Sequence, residues 1–127
     1  MTVSNELSNN KDRDDILSIR NLRVEFETEI GTERALHDIN LSMRRSKTTA
    51  IVGESGSGKS VTAYSMMRLI QKPGRIKAGE IHFSPHDQSE FDILSLPENS
   101  DRLYELRGGD VAMIFQEPMT ALSPVHT

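Results

Sequence analysis

Positions 53–60 of the 127-residue chain have the sequence Gly-Glu-Ser-Gly-Ser-Gly-Lys-Ser, which matches the pattern G-x-x-x-x-G-K-[ST]. Glycines at 56 and 58 lack a Cβ, so this loop can wrap around a phosphate group and direct backbone N–H groups at it. Lys59 brings a positive charge to the terminal phosphates, and Ser60 offers a hydroxyl to Mg²⁺. The pattern predicts a phosphate-binding loop made by Gly53, Glu54, Ser55, Gly56, Ser57, Gly58, Lys59, Ser60 and Val61.

The segments on either side of this loop must position it. Residues 48–52 are a short β-branched run typical of a buried strand. From Lys59 onward, apolar residues recur at helical spacing, which predicts a helix that ends at Pro73-Gly74. A helix that begins at the loop adds its positive dipole end and its N–H groups to a phosphate site. Its apolar stripe, predicted to pack in the core, consists of Ala63, Met66, Met67 and Ile70.

The N-terminal third of the chain has the pattern of an antiparallel strand pair. Residues 17–26 and 35–43 alternate between apolar and polar types, and Gly31-Thr32 supplies a turn between them. Residues 1–15 are polar and are predicted to be a flexible lead-in. Residues 16–127 are then assigned to the N-terminal portion of a single domain.

The second half of the chain predicts further short elements. Residues 80–83 and 110–116 have strand patterns, whereas 85–95 has no regular pattern. A helix is predicted over 101–107, with Ser100 as its N-cap and the following glycine pair as its stop. A strand–loop–helix unit followed by more strands and helices is typical of the α/β class.

Composition excludes several classes of function. There are 15 Lys and Arg residues against 19 Asp and Glu residues, which gives a net charge of −4 and argues against nucleic acid as a partner. Cysteine is absent, so a disulfide scaffold and a thiolate metal site are excluded. The longest apolar run, 111–115, is far shorter than the roughly 18 residues that cross a bilayer.

Three stretches together carry a family resemblance. Residues 51–62, Ile-Val-Gly-Glu-Ser-Gly-Ser-Gly-Lys-Ser-Val-Thr, resemble the Walker A region of ABC transporter ATPases. Residues 113–124, Met-Ile-Phe-Gln-Glu-Pro-Met-Thr-Ala-Leu-Ser-Pro, resemble the Q-loop of the branch that serves dipeptide, oligopeptide, nickel and glutathione importers. Residues 21–26 look like the start of such domains. The resemblance extends from about Leu17 to the last residue and leaves the choice among these substrates open.

The resemblance implies a fold, cofactors and site residues. The fold would be an incomplete P-loop NTPase core of the ABC ATPase type, preceded by the antiparallel β pair. The cofactors would be ATP and Mg²⁺, with Ser60 and Gln116 as metal ligands. Lys59 and Gln116 would act in catalysis, and Phe26 would stack on adenine. The alternative for Phe26 is an ordinary core residue of its strand.

The resemblance also implies partners and a location. An ATPase subunit of this family docks on transmembrane permease subunits and pairs with a second ATPase domain. It would therefore be cytoplasmic and peripheral on the inner face of the cell membrane.

The family's signature motif, Walker B strand and switch histidine match no segment of the 127 residues. Without a Walker B glutamate no base orients the attacking water, a loss of typically ~10²–10⁴ in rate. We therefore expect ATP binding by this chain but no hydrolysis by it alone. The alternatives are a degenerate remnant, a module that only binds nucleotide or a permease, and another P-loop enzyme such as a kinase.

The family's parallel sheet takes further strands from beyond the Q-loop. We therefore expect the strands near 50–52 and 111–115 to lack neighbours and cover. Exposed strand edges favour aggregation, so poor solubility and weak ATP affinity follow.

Overall fold

The computed structural model describes residues 2–4, 14–54, 56–86 and 88–115. Its main element is a four-stranded antiparallel sheet with the strand order β3-β2-β5-β6. The strands are β2 (Asp15–Thr28), β3 (Gly31–Arg44), β5 (Gly74–Phe83) and β6 (Phe91–Asp92). A separate two-stranded antiparallel sheet pairs β1 (Thr2–Ser4) with β4 (Ala50–Val52).

The predicted N-terminal strand pair is confirmed as the β2–β3 hairpin. Thr28 pairs with Gly31, so Glu29 and Ile30 form the turn, and the predicted turn at 31–32 is wrong because both residues belong to β3. Gly31 still has the positive φ of 131° that this connection needs. Both strands are longer than the alternation predicts. Their register shifts at bulges near Asn21 and Asp38, which have φ angles of 52° and 53°. The bulges reset the alternation, so that both ends of β2 present apolar residues to one core.

The core lies on one face of this sheet. Its buried side chains come from all three long strands, from the helix after the phosphate loop and from the segment after β6, and they are Leu17, Ile19, Leu22, Val24, Leu36, Leu41, Met66, Ile81, Phe83, Ile93, Leu103 and Leu106. The predicted strand 80–83 is the end of the longer β5. The predicted irregular stretch 85–95 is partly wrong, because it contains β6 and a short 3₁₀ turn over Ile93–Ser95.

The helix after the phosphate loop, α1, spans Lys59–Met66 and ends well before Pro73. It stops because Arg68 takes a left-handed φ of 54°, and because Leu69 N–H bonds back to Tyr64 O at 2.8 Å. The core-packing prediction is confirmed for Met66 and Met67. Ala63 is only half-buried, and the helix buries Thr62 and Ser65 on the same side instead.

The second helix, α2, spans Asp101–Glu105 and begins as predicted at Ser100, whose Oγ accepts from Leu103 N–H at 3.2 Å. The glycine pair does not end the helical backbone. It lies within a π-helical turn, Leu106–Asp110, closed by a bond from Val111 N–H to Leu106 O at 2.9 Å.

Two predicted strands differ from the structure. The buried strand at 48–52 is wrong in burial, because β4 pairs with β1 alone within the described residues and Val52 is 57% exposed. The strand predicted at 110–116 is wrong over 111–115, which has no regular secondary structure and pairs with no described strand. Ile114 is 93% exposed. An apolar run becomes a buried strand only where another strand and a covering layer receive it. The expected lack of cover at both segments is correct only in part, because Ile51 and Val111 pack against the core, and the expected lack of any neighbour is wrong for β4.

The domain boundary at residue 15 stays a prediction, although β1 lies within the stretch assigned to the lead-in. In the described part of the chain, no helix has the length and apolar character needed to cross a membrane.

Candidate functional site

The phosphate loop connects β4 to α1, as the strand–loop–helix pattern predicts. Lys59 Nζ donates to Glu54 O at 3.0 Å and also to Gly53 O, so the ammonium group joins the start of the loop to the start of the helix. Ser57 N–H donates to Glu54 O at 3.1 Å and tightens the turn. The loop is therefore held by its own backbone carbonyls and by the lysine that the sequence assigns to phosphate.

Gly58 ends the loop against the main sheet. Its φ is 101°, and a Cβ at this position would lie 2.7 Å from Leu36 Cδ2 and 3.4 Å from Ala35 O. A side chain would collide with β3, so glycine lets the loop approach the sheet closely. Thr62 N–H and Thr62 Oγ1 both donate to Gly58 O, at 2.9 and 2.7 Å, which fixes the first turn of α1.

An open cleft of about 500 Å³ lies over this loop. One wall consists of six of the residues that the sequence assigned to the site, and these are Glu54, Gly56, Gly58, Lys59, Ser60 and Val61. The other wall consists of residues of β3, which are Glu33, Arg34 and Ala35. Sequence reasoning missed the second wall, since loop spacing does not reveal which strand faces a loop.

The remaining predicted site residues lie elsewhere or outside the described part of the chain. Gly53 and Ser57 belong to the loop but do not line the cleft. Phe26 is half-buried on β2, where its ring covers Gly74 and packs against the core. Ser55 and Gln116 lie outside the described residues. All of these assignments to ATP and Mg²⁺ stay predictions.

The donor set fits a polyphosphate. Ser57 Oγ is buried and has no hydrogen-bond partner among the described residues, so an acceptor at this loop would satisfy it. Lys59 supplies the charge, and no side chain caps the N-terminus of α1, whose first N–H groups can therefore bind an anion. The described residues contain no cluster of three His, Asp or Glu side chains suited to a metal. One hydroxyl, at Ser60, is consistent with Mg²⁺ held mainly by phosphate oxygens.

A second cleft, of about 640 Å³, lies between β5 and the 94–107 segment and is lined by several cations. Most of these already have partners. Arg107 donates to Met67 O and Arg68 O, at 2.9 and 2.8 Å, and Arg68 donates to Ile93 O and Leu96 O. Arg75 pairs with Glu27 at 3.7 Å. The Arg68 and Arg107 guanidinium groups satisfy backbone carbonyls and fix the end of α1, which is a structural use.

Comparison with known proteins now adds to the geometry. Residues 36–127, most of the chain and the whole phosphate loop, match the family described as ABC transporter. The chain belongs to the ABC transporter family. Membership implies the P-loop NTPase fold, of which the described residues form an antiparallel sheet and the strand–loop–helix unit.

Similar individual proteins agree with this assignment. The chain is 43% identical over 122 residues to the glutathione import ATP-binding protein of Salmonella typhimurium, covering 94% of this chain and 19% of that protein. It is also 43% identical over 116 residues to a putative peptide import ATP-binding protein of Brucella ovis, covering 91% of this chain and 34% of that protein. The chain thus spans a fifth to a third of the length of these relatives.

Proposed function

We propose that this chain binds Mg-ATP at the phosphate loop, as the ATP-binding part of an ABC importer subunit for peptide-like substrates. The observation that carries the proposal is the cleft in which Gly58 and Lys59 face β3. The similarity to glutathione and peptide import ATP-binding proteins supports the substrate class. By the same similarity, the partners would be permease subunits and a second ATPase domain, on the cytoplasmic face of a membrane.

The residues of the loop have distinct roles in this proposal. Lys59 exchanges its bonds to the loop carbonyls for phosphate oxygens, which keeps the ammonium group hydrogen-bonded in both states. Ser57 and the N–H groups at the start of α1 donate to the same phosphates. Bound Mg²⁺ would neutralise charge on the phosphates, with Ser60 as its protein ligand and Gln116 as a second one. Phe26 would stack on the base.

Titration calorimetry with Mg-ATP tests the proposal on the whole chain. Lys59→Ala is expected to weaken binding at least tenfold, because it removes a charge-assisted hydrogen bond. Lys77→Ala, which removes the same charge from the second cleft, is the matched control and should leave the affinity unchanged. Equal affinity in the unmodified chain and Lys59→Ala would refute binding at the loop. A loss confined to Lys77→Ala would assign the nucleotide to the second cleft.

We expect weak binding by the unmodified chain, because β4 has little cover and holds the start of the loop. Micromolar affinity together with a cooperative thermal transition would contradict that expectation without affecting the assignment of the loop. We expect no hydrolysis by this chain alone, so the experiment is designed to measure binding.

A further inference from the structure

Glu33 reaches the face of the sheet that carries the phosphate loop because of a bulge in β3. Val24 pairs with Leu36, and the next residue of β2, Glu25, pairs with Arg34. Ala35 is therefore an extra residue in β3, and beyond it the alternation of the strand is reversed. Without the bulge, position 33 would lie on the opposite face from Leu36.

The contacts of the neighbouring residues agree with this assignment of faces. Arg34 Nε lies 3.4 Å from Glu25 Oε2, and Thr32 Oγ1 donates to Glu27 Oε2 at 3.0 Å. The members of these pairs share the face of the sheet opposite to Phe26, and Arg34 borders the cleft from that side. Glu33 lies between Thr32 and Arg34, so its side chain belongs to the inner face, where Leu36 meets Gly58.

Glu33 is also the direct cross-strand neighbour of Phe26. Side chains at such positions have Cβ atoms about 4.5–5.5 Å apart on the same face of a sheet. Glu33 thus lies beside the residue predicted to stack on the base, and it lines the cleft opposite Lys59 and Ser60. A nucleotide whose phosphates occupy the loop and whose base lies at Phe26 has its sugar between them.

A carboxylate can accept hydrogen bonds from the exocyclic amine of adenine or from the sugar hydroxyls, and a place between the phosphates and the base favours the sugar. The carboxylate repels phosphate, but it accepts hydrogen bonds from hydroxyl groups, and two vicinal hydroxyls match its two oxygens. Glu33 is exposed, and no donor among the described residues pairs with it. Glu54 also lines the cleft, but it belongs to the loop itself, on the phosphate side.

We propose that Glu33 binds the 2′- and 3′-hydroxyls of the nucleotide and makes this site selective for ribonucleotides over 2′-deoxyribonucleotides. The proposal rests on nucleotide binding at the phosphate loop. It adds a specificity-determining residue from β3, supplied by the bulge at Ala35.

Calorimetric titration of the whole chain with Mg-ATP and with Mg-2′-deoxy-ATP tests this inference. The unmodified chain is expected to bind ATP about tenfold more tightly than 2′-deoxy-ATP, the effect of one hydrogen bond to a charged group. In Glu33→Ala the two affinities become equal. The affinity for ATP falls more than the affinity for 2′-deoxy-ATP, because Glu33→Ala removes two hydrogen bonds from ATP and only the bond to the 3′-hydroxyl from 2′-deoxy-ATP. Glu29→Ala, in the hairpin turn, is the matched control and keeps the tenfold preference.

The outcomes separate this inference from the function on which it rests. Equal affinity of the unmodified chain for both nucleotides overturns the role of Glu33, and this comparison needs no variant. A tenfold preference that persists in Glu33→Ala assigns discrimination to another residue and also overturns it. If neither nucleotide binds, or if Lys59→Ala binds ATP as well as the unmodified chain, the proposed function itself fails.

Discussion

The four-stranded sheet and the nucleotide-loop region differ sharply in strand pairing and in the burial of their apolar side chains. In the sheet, Ile19, Leu22, Val24 and Ile81 are at most 1% exposed, and β2 has a strand partner on each side. The nucleotide-loop region, which we define as 50–67 with 111–115, has one paired strand of three residues. Its apolar residues Val52 and Ile114 are 57% and 93% exposed.

The sheet is the part of the chain that folds by pairing of neighbouring strands, and the nucleotide-loop region is the part that contains the proposed nucleotide site. A two-residue turn joins β2 to β3, and most of the core side chains belong to the sheet itself. The nucleotide-loop region packs against the core through Met66 and a few half-buried side chains, and two of its other attachments are Gly58 against Leu36 and Arg107 at the end of α1. We therefore expect global stability to depend on the sheet, and the loop region to respond to those two attachments.

The largest expected effect comes from a matched pair of isoleucines, one in each region. Ile81→Ala removes a fully buried side chain beside Ile19 and should lower the free energy of unfolding by about 2–5 kcal/mol. Ile114→Ala deletes the same atoms from an exposed position and should change it by less than about 0.5 kcal/mol. Urea denaturation measures both. Comparable losses would mean that 111–115 is packed as firmly as the sheet.

The sequence predicts features that depend on neighbouring residues better than features that depend on pairing between distant ones. Alternation and a glycine turn were sufficient to predict the β2–β3 pair, because a hairpin depends on neighbouring residues. They underestimated both strands, since the bulges near Asn21 and Asp38 are defined only by pairing between strands. The first half of β5 was missed because its pattern is interrupted at Lys77, where its own register shifts against β2.

The site divides in the same way. The spacing of the loop residues was sufficient to predict the wall of the cleft that the loop forms, because all of these residues lie within one short segment of the chain. Glu33 was missed because its face depends on the bulge at Ala35, a property of the β2–β3 register. The strand predicted over 111–115 failed for a related reason, since an apolar run carries no information about whether a partner strand receives it.

Gly58→Ala is the next largest test and acts where the two regions meet. The added Cβ would collide with Leu36 Cδ2 and would also occupy a positive φ, so we expect a loss of about 1–3 kcal/mol in unfolding free energy. Gly56→Ala is the control for backbone strain alone, because its φ is 83° but its Cβ would have no neighbour within 4 Å. Urea denaturation should therefore show the smaller loss for Gly56→Ala. Equal losses would mean that the approach of the loop to β3 contributes nothing to stability.

Arg107→Met probes the second attachment and has the smallest expected effect on stability. The guanidinium donates to Met67 O and Arg68 O, so its removal leaves two carbonyls at the end of α1 without a donor and costs about 1–2 kcal/mol. Because β2 and β5 do not depend on these bonds, amide hydrogen exchange should accelerate in α1 and stay unchanged in the sheet. Arg20→Met, an exposed position on β2, should alter neither. Faster amide exchange to the same extent in both regions would show that α1 and the sheet open as one unit. The two regions would then differ in burial but not in stability.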